Sequence, residues 1–107
     1  MPIYNKLVRD KVPEVIQKNG KSYSSRTLSQ HEYEEQIRLK LQEEIAEYLA
    51  ADTAGQALEE LADVLEVIHS LVGIHNSSFH EVETIRKQKS AERGGFKKRV
   101  FLEKVDD

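Results

Sequence analysis

The stretch LQEEIAEYLAADTAGQALEELADVLE, residues 41–66, decides how this 107-residue chain is read. Its two halves are helical in pattern and meet at a break. Upstream, Tyr33, Ile37, Leu41, Ile45 and Tyr48/Leu49 recur at helical spacing. Ser29, with Glu32 three residues on, forms a capping box that opens this helix, which is expected to run to about Ala51. Asp52 and Thr53 interrupt it, and Thr53-x-x-Gln56 is a second capping box. The next helix carries Leu58, Leu61, Ala62, Val64, Leu65, Val67, Ile68, Leu71 and Val72, apolar over more than half its circumference. It is expected to be the central, most buried helix. A connection this short makes the pair an antiparallel hairpin.

Beyond the hairpin, Gly73 is expected to stop the second helix, and His75–Ser78 to turn the chain. Ser78 and Glu81 open a further helix through Val82, Ile85 and Lys89 to Arg93, closed by Gly94-Gly95. Residues 99–105, RVFLEKV, read as a final strand that pairs with residues 21–28 in a small two-stranded ribbon. At the other end, VRDKVPEVIQKNG holds a short helix, with Pro13 in its first turn and Gly20 at its stop. The expected fold is therefore all-α: a bundle of three main helices plus a short N-terminal one, over a single domain 1–107. The apolar excess of the central helix points to a four-helix core completed by oligomerisation.

Composition narrows the class. With no cysteine, disulfides and thiolate metal sites are excluded. No apolar run approaches the length of a membrane span, and MPIYNKLVRD lacks the apolar core of a secretory signal, so a soluble, cytoplasmic protein is expected. The net charge of −3 conceals a strong partition. Residues 1–40 hold eight Lys/Arg and five Asp/Glu, residues 41–85 hold ten acids and no Lys/Arg, and residues 86–107 hold eight bases and four acids. An acidic middle between basic ends suits a site that binds a cation and, through it, a polyanion. Equally, the ends could simply fold back and neutralise the middle. The basic residues do not interleave with aromatics, which argues against nucleic-acid binding.

The acids are ordered within that middle. Residues three apart share a helix face, so Glu44 and Glu47 point one way, as do Glu60 and Asp63. In a hairpin folded about Thr53, Glu47 meets Glu60 and Glu44 meets Asp63. Four carboxylates at matching heights repel one another unless a cation is present, and hard oxygen ligands suit Mg²⁺ or Mn²⁺. Glu44 shares its stripe with Leu41 and Tyr48, so these acids border the apolar faces. From spacing alone, a metal site and a solvated or cross-bridged acidic face both stand.

EEIAE (43–47) followed by EELAD (59–63) resembles the EExxE…ExxD signature of the MazG-like, all-α nucleoside triphosphate pyrophosphohydrolases. YNKLVRDKVPEVI at the start and KSAERGGFKKRVFLEKV at the end resemble a short branch of that superfamily labelled phosphoribosyl-ATP pyrophosphohydrolase-like. The resemblance covers nearly the whole chain. It implies Mg²⁺-dependent cleavage of a nucleoside triphosphate to the monophosphate and pyrophosphate, with Glu44, Glu47, Glu60 and Asp63 as metal ligands, and a homodimer or homotetramer. A house-cleaning role on ordinary or damaged nucleotides is favoured over phosphoribosyl-ATP hydrolysis in histidine biosynthesis.

A triphosphate needs further cations, and Lys6, Arg9, Lys11, Lys89 and Arg93 are the candidates, with Arg9 and Lys89 foremost and Asp10 as an orienting partner. Hydrolysis would proceed by attack of an activated water, with Glu43 the candidate general base or supporting residue and Glu66 a weaker one. Tyr4, Tyr48 and Phe96 are candidates to line a base pocket. Two rivals remain. Glu66-x-x-His69 has the spacing used by di-iron bundle proteins, which need two such pairs, so a homodimer would have to supply the second. The remaining histidines, His31, His75 and His80, read as surface residues. A non-enzymatic helical interaction module would instead use the apolar excess of residues 58–72 as a partner-binding face.

Overall fold

Capping chemistry sets the helix boundaries in the computed structural model, which describes residues 3–106. Four helices follow in order: α1 (Val12–Lys18), α2 (Gln30–Leu49), α3 (Ala54–Ile74) and α4 (Phe79–Arg93). Pro13 lies in the first turn of α1, whose exit is turned by Gly20 at φ 75°. Ser29 caps α2: its hydroxyl accepts from the Glu32 N–H, while Glu32 Oε1 accepts from the Ser29 N–H. Arg26 adds a two-pronged contact on Glu32 at 3.1 and 2.8 Å. That guanidinium, with the Ser29 contacts, holds the Glu32 carboxyl down at about 2. An ionised acid in the first turn also suits the positive end of the helix dipole.

Thr53 caps α3 by accepting from the Gln56 N–H, but the return contact is shifted by one residue. Gln56 Oε1 accepts from the Asp52 N–H, not from Thr53. The expected stop at Gly73 does not occur, because α3 runs through it to Ile74. The reversal is made by Asn76, at φ 55°, whose short polar side chain tolerates the left-handed region. Ser78 caps α4 and Gly94 ends it at φ 81°, ψ −179°, a backbone region open essentially only to glycine.

The class is all-α, as the helical periodicity predicts. The expected ribbon is not formed: among the described residues no segment is a strand, and no backbone hydrogen bond joins 21–28 to 99–105. Both segments are exposed instead. A two-stranded ribbon has little stability without a surface to lie on, and none is offered to it here.

Packing is concentrated in the α2–α3 hairpin, with α4 resting on the end of α3 next to the turn. Ile37, Val67 and Val72 are the buried apolar residues, each adding roughly 1.5–3 kcal/mol when fully buried. α3 is the central helix, packed on both α2 and α4, but its apolar excess is only partly covered: Leu58 is 67% exposed, and Leu61 and Leu65 are exposed as well. At about 100° per residue these three lie opposite the side that carries Val67, Glu60 and Asp63. Val67 and the two acids face α2, and the leucine side is bare because α4 covers only the far end of α3.

The molecule is correspondingly extended, 63 × 36 × 24 Å, with a radius of gyration of 18.5 Å. A compact chain of this length would have a radius near 13 Å. Its accessible surface of 9842 Å² exceeds the roughly 6,100 Å² typical of a folded monomer of 12.3 kDa. Among the described residues, no helix is long and apolar enough to cross a membrane.

Candidate metal centre

The α2–α3 hairpin brings the expected carboxylates together. Oxygens of Glu44, Glu60 and Asp63 lie within 4.8 Å of one another, and so do oxygens of Glu43, Glu44 and Glu47. Glu44 belongs to both groups and is the pivot of the site. Glu47, the exposed outer member, lies close enough to Glu44 and Glu60 to push both of their carboxyls up. The contact follows from helical repeat: spacing of three puts Glu44 and Glu47 along one edge of α2 and Glu60 and Asp63 along one edge of α3, with Glu44 buried and Glu47 exposed, and the short turn fixes their heights.

Glu44 is the unusual residue. It is only 7% exposed, on a hairpin whose other buried residues are apolar. Glu44 Oε2 and Glu60 Oε2 are buried without any hydrogen-bond partner. Burial pushes the Glu44 carboxyl up, and the neighbouring Glu47 and Asp63 add to this, against a partial pull from Lys40. Glu60 is also raised, first by desolvation and then by Glu47 and Asp63. Buried acid oxygens without donors are costly; protonation relieves that cost, and a cation held among Glu44, Glu60 and Asp63 would relieve it too.

Part of the counter-charge comes from the protein itself. Lys40 Nζ sits 3.2 Å from Glu43 Oε2 and 3.5 Å from Glu44 Oε1. Lys40 is not among the expected site residues because it stands just ahead of the acidic stretch that begins at residue 41. The signal was the ordinary i+3, i+4 spacing one turn upstream. From the N-terminal segment, Lys6 Nζ lies 3.2 Å from Glu43 Oε1, Arg9 Nη2 2.6 Å from Asp63 Oδ1, and Arg9 Nη1 3.8 Å from Glu66 Oε1. Partial burial alone would raise Glu43, but the hydrogen bonds from Lys6 and Lys40 outweigh it and its carboxyl falls below the usual range. Glu43 is therefore a tethered, ionised residue beside the cluster.

The other expected site residues are not gathered in. Lys11, Lys89 and Arg93 make no ion pair with the cluster among the described residues, and Asp10 pairs with neither Arg9 nor Lys11. Arg93 instead lines an open concavity with Ser90, Gly94, Phe96 and Lys97 at the end of α4. Tyr4, Tyr48 and Phe96 are exposed, and of the three only Phe96 lines the concavity at the end of α4. The Glu66–His69 pair is also separated in its contacts: Glu66 turns to Arg9, while the His69 ring stacks on Phe79 with centroids 3.9 Å apart and planes 11° from parallel.

Comparison with known proteins adds one relative. An uncharacterized protein of Mycolicibacterium smegmatis (strain ATCC 700084 / mc(2)155) is 51% identical over 53 residues, 50% of this chain and 54% of that protein. The chain thus matches about half the length of that relative. No family model matches the chain, and no solved structure does.

Proposed function

We propose that the protein is a Mg²⁺-dependent nucleotide pyrophosphohydrolase of the MazG-like kind, releasing pyrophosphate from a nucleoside triphosphate. The observation that carries this is Glu44, nine-tenths buried with one carboxylate oxygen unpartnered, inside a cluster with Glu60 and Asp63. An acidic surface kept only for solubility does not bury an acid. The donor set is all carboxylate oxygen, which fits Mg²⁺ or Mn²⁺ rather than a softer metal. Glu44, Glu47, Glu60 and Asp63 would hold the cation, which when bound supplies charge neutralisation for the phosphate chain and acidifies water.

The chain's own residues take the remaining roles. Glu43, held ionised by Lys6 and Lys40, is placed to accept a proton at the edge of the cluster. Lys6 and Arg9 already approach the carboxylates and are the nearest cations for a triphosphate; Lys11, Lys89 and Arg93 would join only if the basic ends close over the site. The large excess of exposed surface supports a homodimer or homotetramer, in which a second copy completes a four-helix core. Ordinary or damaged nucleotides are the favoured substrates over phosphoribosyl-ATP. The bare leucines of α3 lend some support to the alternative of a pure interaction module.

A panel of nucleotides assayed with Mg²⁺ or Mn²⁺ tests the proposal. The expected result is monophosphate and pyrophosphate in equal amounts from at least one triphosphate. Inactivity across the panel, with both metals, would leave the interaction module as the better reading.

A further inference from the structure

The C-terminal arm is the most anomalous surface of the molecule. Phe96, Val100, Phe101, Leu102 and Val105 are all exposed, Phe101 to 88%, within ten residues that make no helix or strand. On the hairpin, Leu58, Leu61 and Leu65 form a second bare apolar stripe along α3. We propose that residues 96–105 of one copy lie along this α3 stripe of a second copy, exchanged reciprocally between the two. This deepens the homo-oligomer reading above and rests on it.

Charge, length and pattern each favour this occupant. The arm carries Lys97, Lys98, Arg99 and Lys104 against Glu103 alone, whereas Ala54–Ile74 contains four acids and no Lys or Arg. Glu59 and Glu66 border the leucine stripe on one side and would meet the arm's cations there. Residues 96–99 form a turn closed by the Arg99 N–H on the Phe96 carbonyl at 3.1 Å, and the six residues 100–105, if extended, span about 20 Å, enough to cover the roughly 11 Å between Leu58 and Leu65 on α3. In an extended chain alternate side chains point to opposite sides, so Val100 and Leu102 face one way while Phe101 and Val105 face the other. An arm apolar on both sides needs two surfaces, which folding back on a single helix of its own chain does not supply. Lying between two copies does. The exposed surface in excess of a compact monomer is about 3,700 Å², more than the roughly 800 Å² that each partner gives to a standard interface.

The absence of cysteine makes a cross-linking test unambiguous. Leu61→Cys and Phe101→Cys are introduced into separate full-length chains of different tag mass, each checked for helical circular dichroism. They are then mixed and oxidised. The expected product is the mixed disulfide at two-chain mass, in excess of either self-linked product. A chain carrying both cysteines, oxidised in dilute solution, is expected to link between chains. Independently, Phe101→Asp is expected to weaken self-association at least tenfold in sedimentation equilibrium. A wild type that self-associates without the mixed disulfide, or whose double variant closes within one chain, overturns the arm exchange and leaves the homo-oligomer intact. A wild type that is monomeric at all concentrations overturns both, and pyrophosphate release reports separately on the metal centre.

Discussion

Replacing Glu44 by glutamine separates its cost from its use. In the metal-free protein the Glu44 carboxyl is buried, crowded by Glu47 and Asp63, and has one oxygen without a donor. An unsatisfied buried polar group costs about 1–3 kcal/mol, more when charged. Glutamine keeps the shape and removes the charge. It gives up the 3.5 Å contact with Lys40, but Lys40 retains Glu43 at 3.2 Å, so the loss is small. The net expectation is a gain of about 1–2 kcal/mol. For a chain of this size that raises Tm by about 4–9 °C. The metal-dependent response should move the other way. Saturating a native-only site at a hundredfold over Kd adds about 2.7 kcal/mol, or about 12 °C, to the wild type. Glu44→Gln should lose nearly all of that shift. Thermal unfolding by circular dichroism at fixed protein concentration, with EDTA or with Mg²⁺, reads both effects. A variant less stable than the wild type in EDTA, or one that keeps the full Mg²⁺ shift, refutes the reasoning.

Further consequences follow from the same geometry. Glu44 and Glu60 have folded pKa values above the unfolded value of 4.5, so the folded state binds more protons through that window. Metal-free stability should therefore rise as pH falls from neutral toward 4.5. Below 4.5 it should decline, because Glu32, Glu43 and Glu83 are held down in the folded state and the unfolded chain takes up those protons first, and a pH series of urea midpoints checks both limbs. Arg9→Ala removes a guanidinium 2.6 Å from Asp63, so calorimetry should show tighter Mg²⁺ binding without nucleotide, while KM for the nucleotide rises. Thr53→Ala deletes the α3 cap and should cost about 1 kcal/mol, or about 4–5 °C in Tm, without altering the Mg²⁺-induced shift.

Local chemistry was the legible part of the sequence. Ser29, Thr53 and Ser78 each cap a helix where the residue pattern predicts one, because a cap is decided within four residues. The meeting of Glu44 with Glu60 and Asp63 was legible for a related reason: a hairpin with a very short turn leaves little freedom of register. What failed was non-local. A ribbon between 21–28 and 99–105 requires two distant segments to find a common surface, and periodicity does not report on that. Burial on α3 was overread because an apolar side chain in the sequence does not say whether its own chain covers it; Leu58, Leu61 and Leu65 are uncovered. The resting contacts of Lys6 and Arg9 with Glu43 and Asp63 join the N-terminal segment to the hairpin, another non-local pairing that helical spacing does not report. Gly73 was read as a stop although nothing required its backbone freedom, while Asn76, three residues on, made the turn.

Pyrophosphate release from nucleoside triphosphates in Mg²⁺ bears most directly on the four-carboxylate centre, comparing wild type with Glu47→Gln and Asp63→Asn. The account predicts release by the wild type and a fall to background in both variants, with the helical circular dichroism signal unchanged. Full activity in both variants would contradict it.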